Sequence, residues 1–398
     1  MTTNKIDFGQ RNVAMDILRA LTVLLMIFVN DFWSISGFPH WMGHAETSED
    51  FLGLADVVYP IFLFVVGMSI PYAIESRFKK ALPVTGTVGH ILSRTFALLV
   101  MGAFTEQTLA GMAPGVIMNM HVFKVFMVLG FFLAWNAYPK TDKPIRYLYL
   151  ALQIAGVLLL IYLAFIFRDR DGGFFRGRWG ILGSIGWAYL FCAFVYLLVR
   201  DKIAPIFFFW LGLLILCMAK SSQIIPRESN IINDLTNIVR IGATTVFTMG
   251  GVLFSMVIAK YTHAPVRKKI IFILATVVVL LIAARISNEF WIISKNRGTP
   301  TWILYCTAIT IGVYSLLHWA VSKGKASWFN IIKVGGTATL SCYVMPYFVQ
   351  SIFYSFLPIT LPEWMKTGVY GLVKCALWAF ICIFVTALLE RGKIKLKI

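Results

Sequence analysis

His40 and His44 lie in GFPHWMGHAETSED, a polar stretch that also carries Trp41, Glu46, Glu49 and Asp50. Asp56 follows soon after, just inside an apolar run that opens LADVVYP, and Asn30 stands near the end of the apolar run before it. An imidazole with carboxylate and amide neighbours suits acid–base chemistry, because imidazole ordinarily titrates near neutrality. A histidine in a polar loop is also served by water alone. Asp56 needs a hydrogen-bond partner in its apolar surroundings, and Asn30 is a candidate.

Other charges interrupt the apolar runs, at about 2.5–3.5 kcal/mol each near a bilayer centre. Arg19 follows Asp16 by three residues and shares its helix face, which makes an ion pair. Arg94 lies near the start of a later run, where its head can snorkel to lipid phosphate. Together Arg19 and Arg94 also suit an anionic ligand entering from the cytosol. Lys124 has His121 three residues before it, and Arg285 has Glu289 four residues after it. Arg240 and Lys374 complete the set. The segment RDRDGGFFRGR over 168–178 brings four arginines together. It reads either as a solvated loop partly neutralised by Asp169 and Asp171, or as an anion site. The six cysteines fall in apolar segments with no CxxC pair and no companion histidine, which argues against a disulfide framework or a metal site.

The elements that must position these groups are membrane helices. Of 398 residues, 59% are hydrophobic and 14% charged, far from a soluble domain. Runs of about 20 apolar residues are long enough to span a bilayer. Twelve are predicted, over about 17–35, 54–74, 90–109, 116–137, 145–167, 181–199, 203–219, 238–259, 270–287, 301–321, 336–357 and 368–389. The expected fold is all-α, a polytopic integral membrane helical bundle of about 11–12 transmembrane helices. It forms a single transmembrane domain over 1–398 with no separate soluble domain. With both termini cytoplasmic, cations of the inner connections outnumber those of the outer ones by about two to one. The net charge of +18 then reflects topology and not nucleic-acid binding. This orientation puts His44 outside and Arg19 and Arg94 on the inner side.

Residues Arg11 to Tyr72 resemble the heparan-α-glucosaminide N-acetyltransferase family. The pieces are Asp16-x-x-Arg19, Met26-x-Phe28-Val29-Asn30, His44-Ala45, and Ala55-Asp56-x-x-x-Pro60-x-Phe62-x-Phe64-x-x-Gly67-x-Ser69-Ile70. Trp179 to Leu190 looks like a segment of bacterial members, and Ser294-Lys295-Asn296-Arg297-Gly298-Thr299-Pro300-x-Trp302 looks like the family's late loop. Two departures stand out. The spacings around His44 are a few residues longer than in the lysosomal enzyme, which keeps His40 in play, and Ala338 stands where the family usually has Asn.

The resemblance implies an acetyl-CoA-dependent acyltransferase of the bacterial cytoplasmic membrane that moves acetyl to an amino sugar, glucosamine-type or glycosaminoglycan-type, at the outer face. Carried over, the active-site histidine falls on His44 and the active-site asparagine on Asn30. Asp56, Asp16, Arg19 and Arg94 match shared positions. His44 acts as general base or as a transient acetyl carrier, Asn30 orients it or donates to the oxyanion, and Asp56 completes the catalytic group. Arg19 and Arg94 are candidate partners of the CoA phosphates. Acetyl-CoA is the donor substrate, no metal is expected, and the remaining partners are the lipid bilayer and a second copy in a homodimer. A secondary transporter, or an O-acyltransferase of envelope polysaccharide, is the competing function.

Overall fold

In a bilayer the backbone N–H and C=O groups must be satisfied within the protein, so long apolar runs fold as helices. The protein, seen in a computed structural model, is described over residues 6, 8, 12–113, 116–139, 142–169, 174, 179–224, 242–261, 264–356 and 361–398. The helices in chain order are α1 (Val13–Asn30), α2 (Leu54–Lys79), α3 (Val84–Ala110), α4 (Met120–Trp135), α5 (Lys143–Ile166), α6 (Gly180–Val199) and α7 (Ile203–Ser221). They continue with α8 (Gly242–Lys260), α9 (Val266–Asn288), α10 (Pro300–Ser322), α11 (Lys333–Thr337), α12 (Thr339–Phe356) and α13 (Gly368–Arg391).

Among the described residues, 10 helices are long and apolar enough to cross a membrane, and α4 is a shorter apolar helix. The expected polytopic helical bundle is therefore borne out. The run expected at 336–357 is interrupted: α11 ends at Thr337, and Ala338 leaves the helical region at φ −121° before α12 begins. Arg240, and Arg170, Arg176 and Arg178 of the arginine-rich loop, lie outside the described residues.

The described chain clusters into two compact units. The first comprises Met1–Thr22, Pro39–Leu92 and Trp187–Ile331. Its core is the pair α2 and α8, which approach at glycines. A Cβ on Gly67 would meet the Thr248 carbonyl oxygen at 1.8 Å, and one on Gly251 would meet the Phe64 carbonyl oxygen at 2.0 Å. Small residues let membrane helices come this close, and van der Waals packing replaces the missing hydrophobic drive. Phe64, Leu63 and Met68 of α2 and Phe247 and Val252 of α8 are all buried. α10 joins through Trp302, whose ring meets Phe247 edge-on at 5.0 Å. At the other end of α2, buried Glu75 accepts from Arg200 at 3.1 and 2.7 Å and from the Tyr196 hydroxyl at 3.1 Å. A bidentate guanidinium satisfies a carboxylate that burial would otherwise penalise. Arg200 also lies over the Phe78 ring at 4.1 Å. It occupies the tight turn between α6 and α7 in the left-handed region, at φ 36°.

The second unit comprises Val23–Phe38, Ser93–Gly186 and Ile332–Ile398. α3 and α6 meet at Gly102, where a Cβ would stand 2.3 Å from both the Gly183 nitrogen and the Trp179 carbonyl oxygen. Phe104, Phe123, Phe131, Phe167 and Phe174 form one aromatic cluster. Lys374, expected near the outer end of its span, donates to Asp31 at 2.7 Å and also to Ser34. The C-terminal segment is tied down: Lys395 N–H donates to the Asn136 side chain at 2.8 Å, and Leu396 N–H to the Ser341 hydroxyl at 3.0 Å. On α5, Leu150, Ile154, Leu158, Ile161 and Phe165 are all exposed. Their spacing traces one helix face, which suits lipid tails.

Because Gly251 faces backbone that cannot swing away, Gly251→Ala should destabilise the detergent-solubilised protein by about 1–3 kcal/mol. Gly312→Ala, where a Cβ meets nothing within 4 Å, is the control. Thermal unfolding of the two variants side by side checks this, with only Gly251→Ala expected to melt early.

Candidate active site

The site is built where the polar loop closes on the start of α2. The backbone turns through a short 3-10 segment at His40–Met42. It then loops out and returns so that Gly53 packs on Gly43, with so little space that a Cβ on Gly53 would stand 2.0 Å from the Gly43 carbonyl oxygen. This closure brings His44 and Ala45 back over the first turn of α2, where Asp56 sits. A carboxylate there lies at the positive end of the helix dipole and near unpaired N–H groups.

Asp56 accepts from both neighbours. Its Oδ1 is 2.7 Å from His44 Nδ1, and its Oδ2 takes the Ala45 N–H at 2.8 Å. The Asp56 side chain is 3% exposed and that of His44 is 50%, so the carboxylate is sealed while the ring is open to a substrate. An ionised carboxylate can only accept, which places the imidazole proton on Nδ1 and leaves Nε2 as the ring's lone-pair acceptor. The hydrogen-bond demand of Asp56 that pointed to Asn30 is thus met by the loop that precedes α2.

A second loop, between α9 and α10, completes the arrangement. Lys295 Nζ lies 3.2 Å from His44 Nδ1 and 3.7 Å from Asp56 Oδ1. Burial pushes the Lys295 pKa below its ordinary value, against the upward pull of the Asp56 charge. Asp50 holds this loop in place: it accepts the Ile293 N–H at 2.7 Å and the Asn288 amide at 2.9 Å. Asn296 donates to Thr47 at 3.2 Å. The turn carrying Lys295 ends at Gly298, whose φ of 64° favours glycine. Trp302, one turn into α10, donates its indole N–H to the Asp56 carbonyl at 3.1 Å.

His40 takes a different position. Its Nε2 is 3.2 Å from Glu49, with side chains 62% and 32% exposed, and its ring lies 4.7 Å from that of Phe51. Arg19 pairs with Asp16 at 3.1 Å as the i,i+3 spacing expects, and Arg285 pairs with Glu289. Asn30 closes α1 with its side chain exposed, and Arg94 is half-buried on α3; both belong to the second unit. His121 lies against the Tyr354 ring at 5.4 Å. The structure therefore brings His44 and Asp56 together and adds Lys295, to which the sequence alone assigns no site role. The family-like run Ser294–Pro300 was the signal that could have singled it out.

An accessible imidazole fixed by a buried carboxylate, at the end of a membrane-spanning helix, defines the class: a polytopic helical membrane protein with a histidine–aspartate pair suited to acid–base chemistry. The resemblance read from the motifs is borne out over residues 11–165, which match the catalytic region of heparan-alpha-glucosaminide N-acetyltransferase. The mouse protein called heparan-alpha-glucosaminide N-acetyltransferase is 30% identical over 136 residues, 32% of this chain and 20% of that protein. The human protein of the same name is 30% identical over 89 residues, 22% of this chain and 13% of that protein. The chain spans a fifth or less of these relatives' length.

The carboxylate fixes the tautomer, so His44 should carry its proton on Nδ1 in the wild-type protein. Gly53→Ala, which forces the loop off α2, and Asp56→Ala should both return His44 to the tautomer mixture of free imidazole. Nitrogen chemical shifts of labelled His44 distinguish the two states.

Proposed function

We propose that this protein is a transmembrane acetyltransferase that moves acetyl from acetyl-CoA on the cytoplasmic side to the amine of a glucosamine-type sugar on the outer side. One observation carries the reading: Asp56 accepts a hydrogen bond from His44 Nδ1, so the exposed ring offers Nε2 as a base to whatever enters. The same logic favours His44 over His40, whose carboxylate partner Glu49 is 32% exposed and not sealed as Asp56 is.

CoA is too polar to cross a bilayer, while its long pantetheine arm can thread a channel and present the thioester near the outer mouth. The acceptor nitrogen attacks the thioester carbonyl as His44 Nε2 takes its proton. The tetrahedral oxyanion then collapses, the C–S bond breaks, and the proton passes to the departing thiolate. An acetyl group resting transiently on Nε2 is the two-step variant of the same chemistry. Asn30, at the end of α1, is carried as a further catalytic candidate on the motif resemblance alone. Arg19 and Arg94, with Lys79 and Lys80 of the inner side, are assigned to the CoA phosphates. The protein is read as lying in a bacterial cytoplasmic membrane with both termini inside. The single domain over 1–398 and a homodimer belong to the same proposal.

Purified protein supplied with labelled acetyl-CoA and a panel of amino sugars should release free CoA and an N-acetylated sugar. His44→Ala should lower the rate by about 10²–10⁴-fold, the contribution typical of a positioned base, with the fold unchanged by thermal melting. Full transfer by a folded His44→Ala protein would sink the assignment. Transfer to hydroxyls alone would redirect it to an O-acyltransferase, and no transfer at all would favour a transporter.

A further inference from the structure

The Asp56 carboxylate carries one negative charge in a sealed position, and two basic side chains compete for it. His44 Nδ1 lies 2.7 Å from its Oδ1 and Lys295 Nζ lies 3.7 Å from the same oxygen. The two bases face each other at 3.2 Å. His44 Nδ1 is committed to donating toward Asp56, and an ammonium has no lone pair to accept with. The Lys295–His44 contact is therefore no hydrogen bond between them. It is a positive charge held against the ring edge, with Asp56 as the anion that His44 hydrogen-bonds and Lys295 pairs with by charge at 3.7 Å.

We propose that Lys295 is a positioning residue of the acetyl-transfer site: it supplies the counter-charge of Asp56, so that the carboxylate orients His44 without drawing a second proton onto the ring. This rests on the acetyltransferase reading above. A His–carboxylate pair alone faces a trade-off, because the negative charge that fixes the tautomer also favours imidazolium, which has no lone pair to act as base. A lysine standing on the same oxygen removes that penalty and keeps the orienting bond.

The surroundings support the role. The Lys295 side chain is 27% exposed, and the loop bonds through Asp50 and Thr47 hold it in place. Two of the neighbouring carboxylates have partners of their own. Asp50 is spent on the α9–α10 loop and Glu49 on His40. From α10, Cys306 approaches the Asp56 carbonyl with its sulfur at 4.0 Å. From α2, only Asp56 itself is in contact with the ring among the hydrogen bonds and ion pairs described.

The sign of the expected effect follows from charge. With Lys295 neutralised, both the loss of a cation beside the ring and the stronger field of the uncompensated carboxylate favour protonation of His44. In Lys295→Met and Lys295→Gln the acid limb of the acetyl-transfer rate should therefore move to higher pH by about one unit. Activity below the limb falls about tenfold, while above it the rate returns toward wild type. Lys295→Arg keeps the charge and should keep the wild-type position of the limb. A merely structural lysine would lower the rate by one factor at every pH, or lower the melting temperature alone. A pH-independent loss, no change in either neutral variant, or an equal shift in Lys295→Arg would overturn the proposal. Wild-type protein and His44→Ala are run alongside. Absence of His44-dependent transfer there refutes the acetyltransferase reading itself, whereas normal His44 dependence with an unmoved limb refutes only the role of Lys295.

Discussion

A carboxylate sealed at the mouth of an apolar helix must be paired, and that demand organises the first unit. Asp56 is 3% exposed at its side chain, and losing a partner there would leave a buried charge, among the costliest defects a fold can carry. Its satisfaction draws in the loop before α2 through His44 and Ala45 and the α9–α10 loop through Lys295. The indole of Trp302 ties the same residue's backbone to α10. Two stretches far apart in the chain, 44–56 and 295–302, are thus assembled around one charge, with the His44 ring left on the open side.

The helix packing beneath serves that arrangement. α2 is fixed against α8 by glycines that allow backbone contact at Gly67 and Gly251, so the first turn carrying Asp56 is set on a rigid element. At its opposite end the helix is tied by Glu75 to Arg200 and Tyr196. A polar site supported by a helix so anchored can hold a base and its orienting carboxylate at fixed distance, which is what proton transfer in a single encounter requires.

Much of the fold was legible because the bilayer leaves a chain few choices. Apolar runs of spanning length became helices, and the i,i+3 and i,i+4 pairs Asp16–Arg19 and Arg285–Glu289 formed where local spacing put them. Lys374 was recognised as a charge in need of a partner, but Asp31 lies 343 positions away in sequence, beyond any local pattern. Glu75 and Arg200, 125 positions apart, carry no local spacing signal either.

Sequence by itself determined the helices and the short set of polar residues that an apolar chain does not carry without cause. Residue type and hydropathy are local properties, and the membrane converts them directly into structure. Tertiary structure decided which carboxylate meets which histidine. His40 and His44 are equivalent in composition, and only the closure of Gly53 on Gly43 puts His44 on Asp56. It also decided that Lys295, 251 positions from His44, stands beside the pair, because contacts between distant segments depend on how helices pack and not on any spacing along the chain.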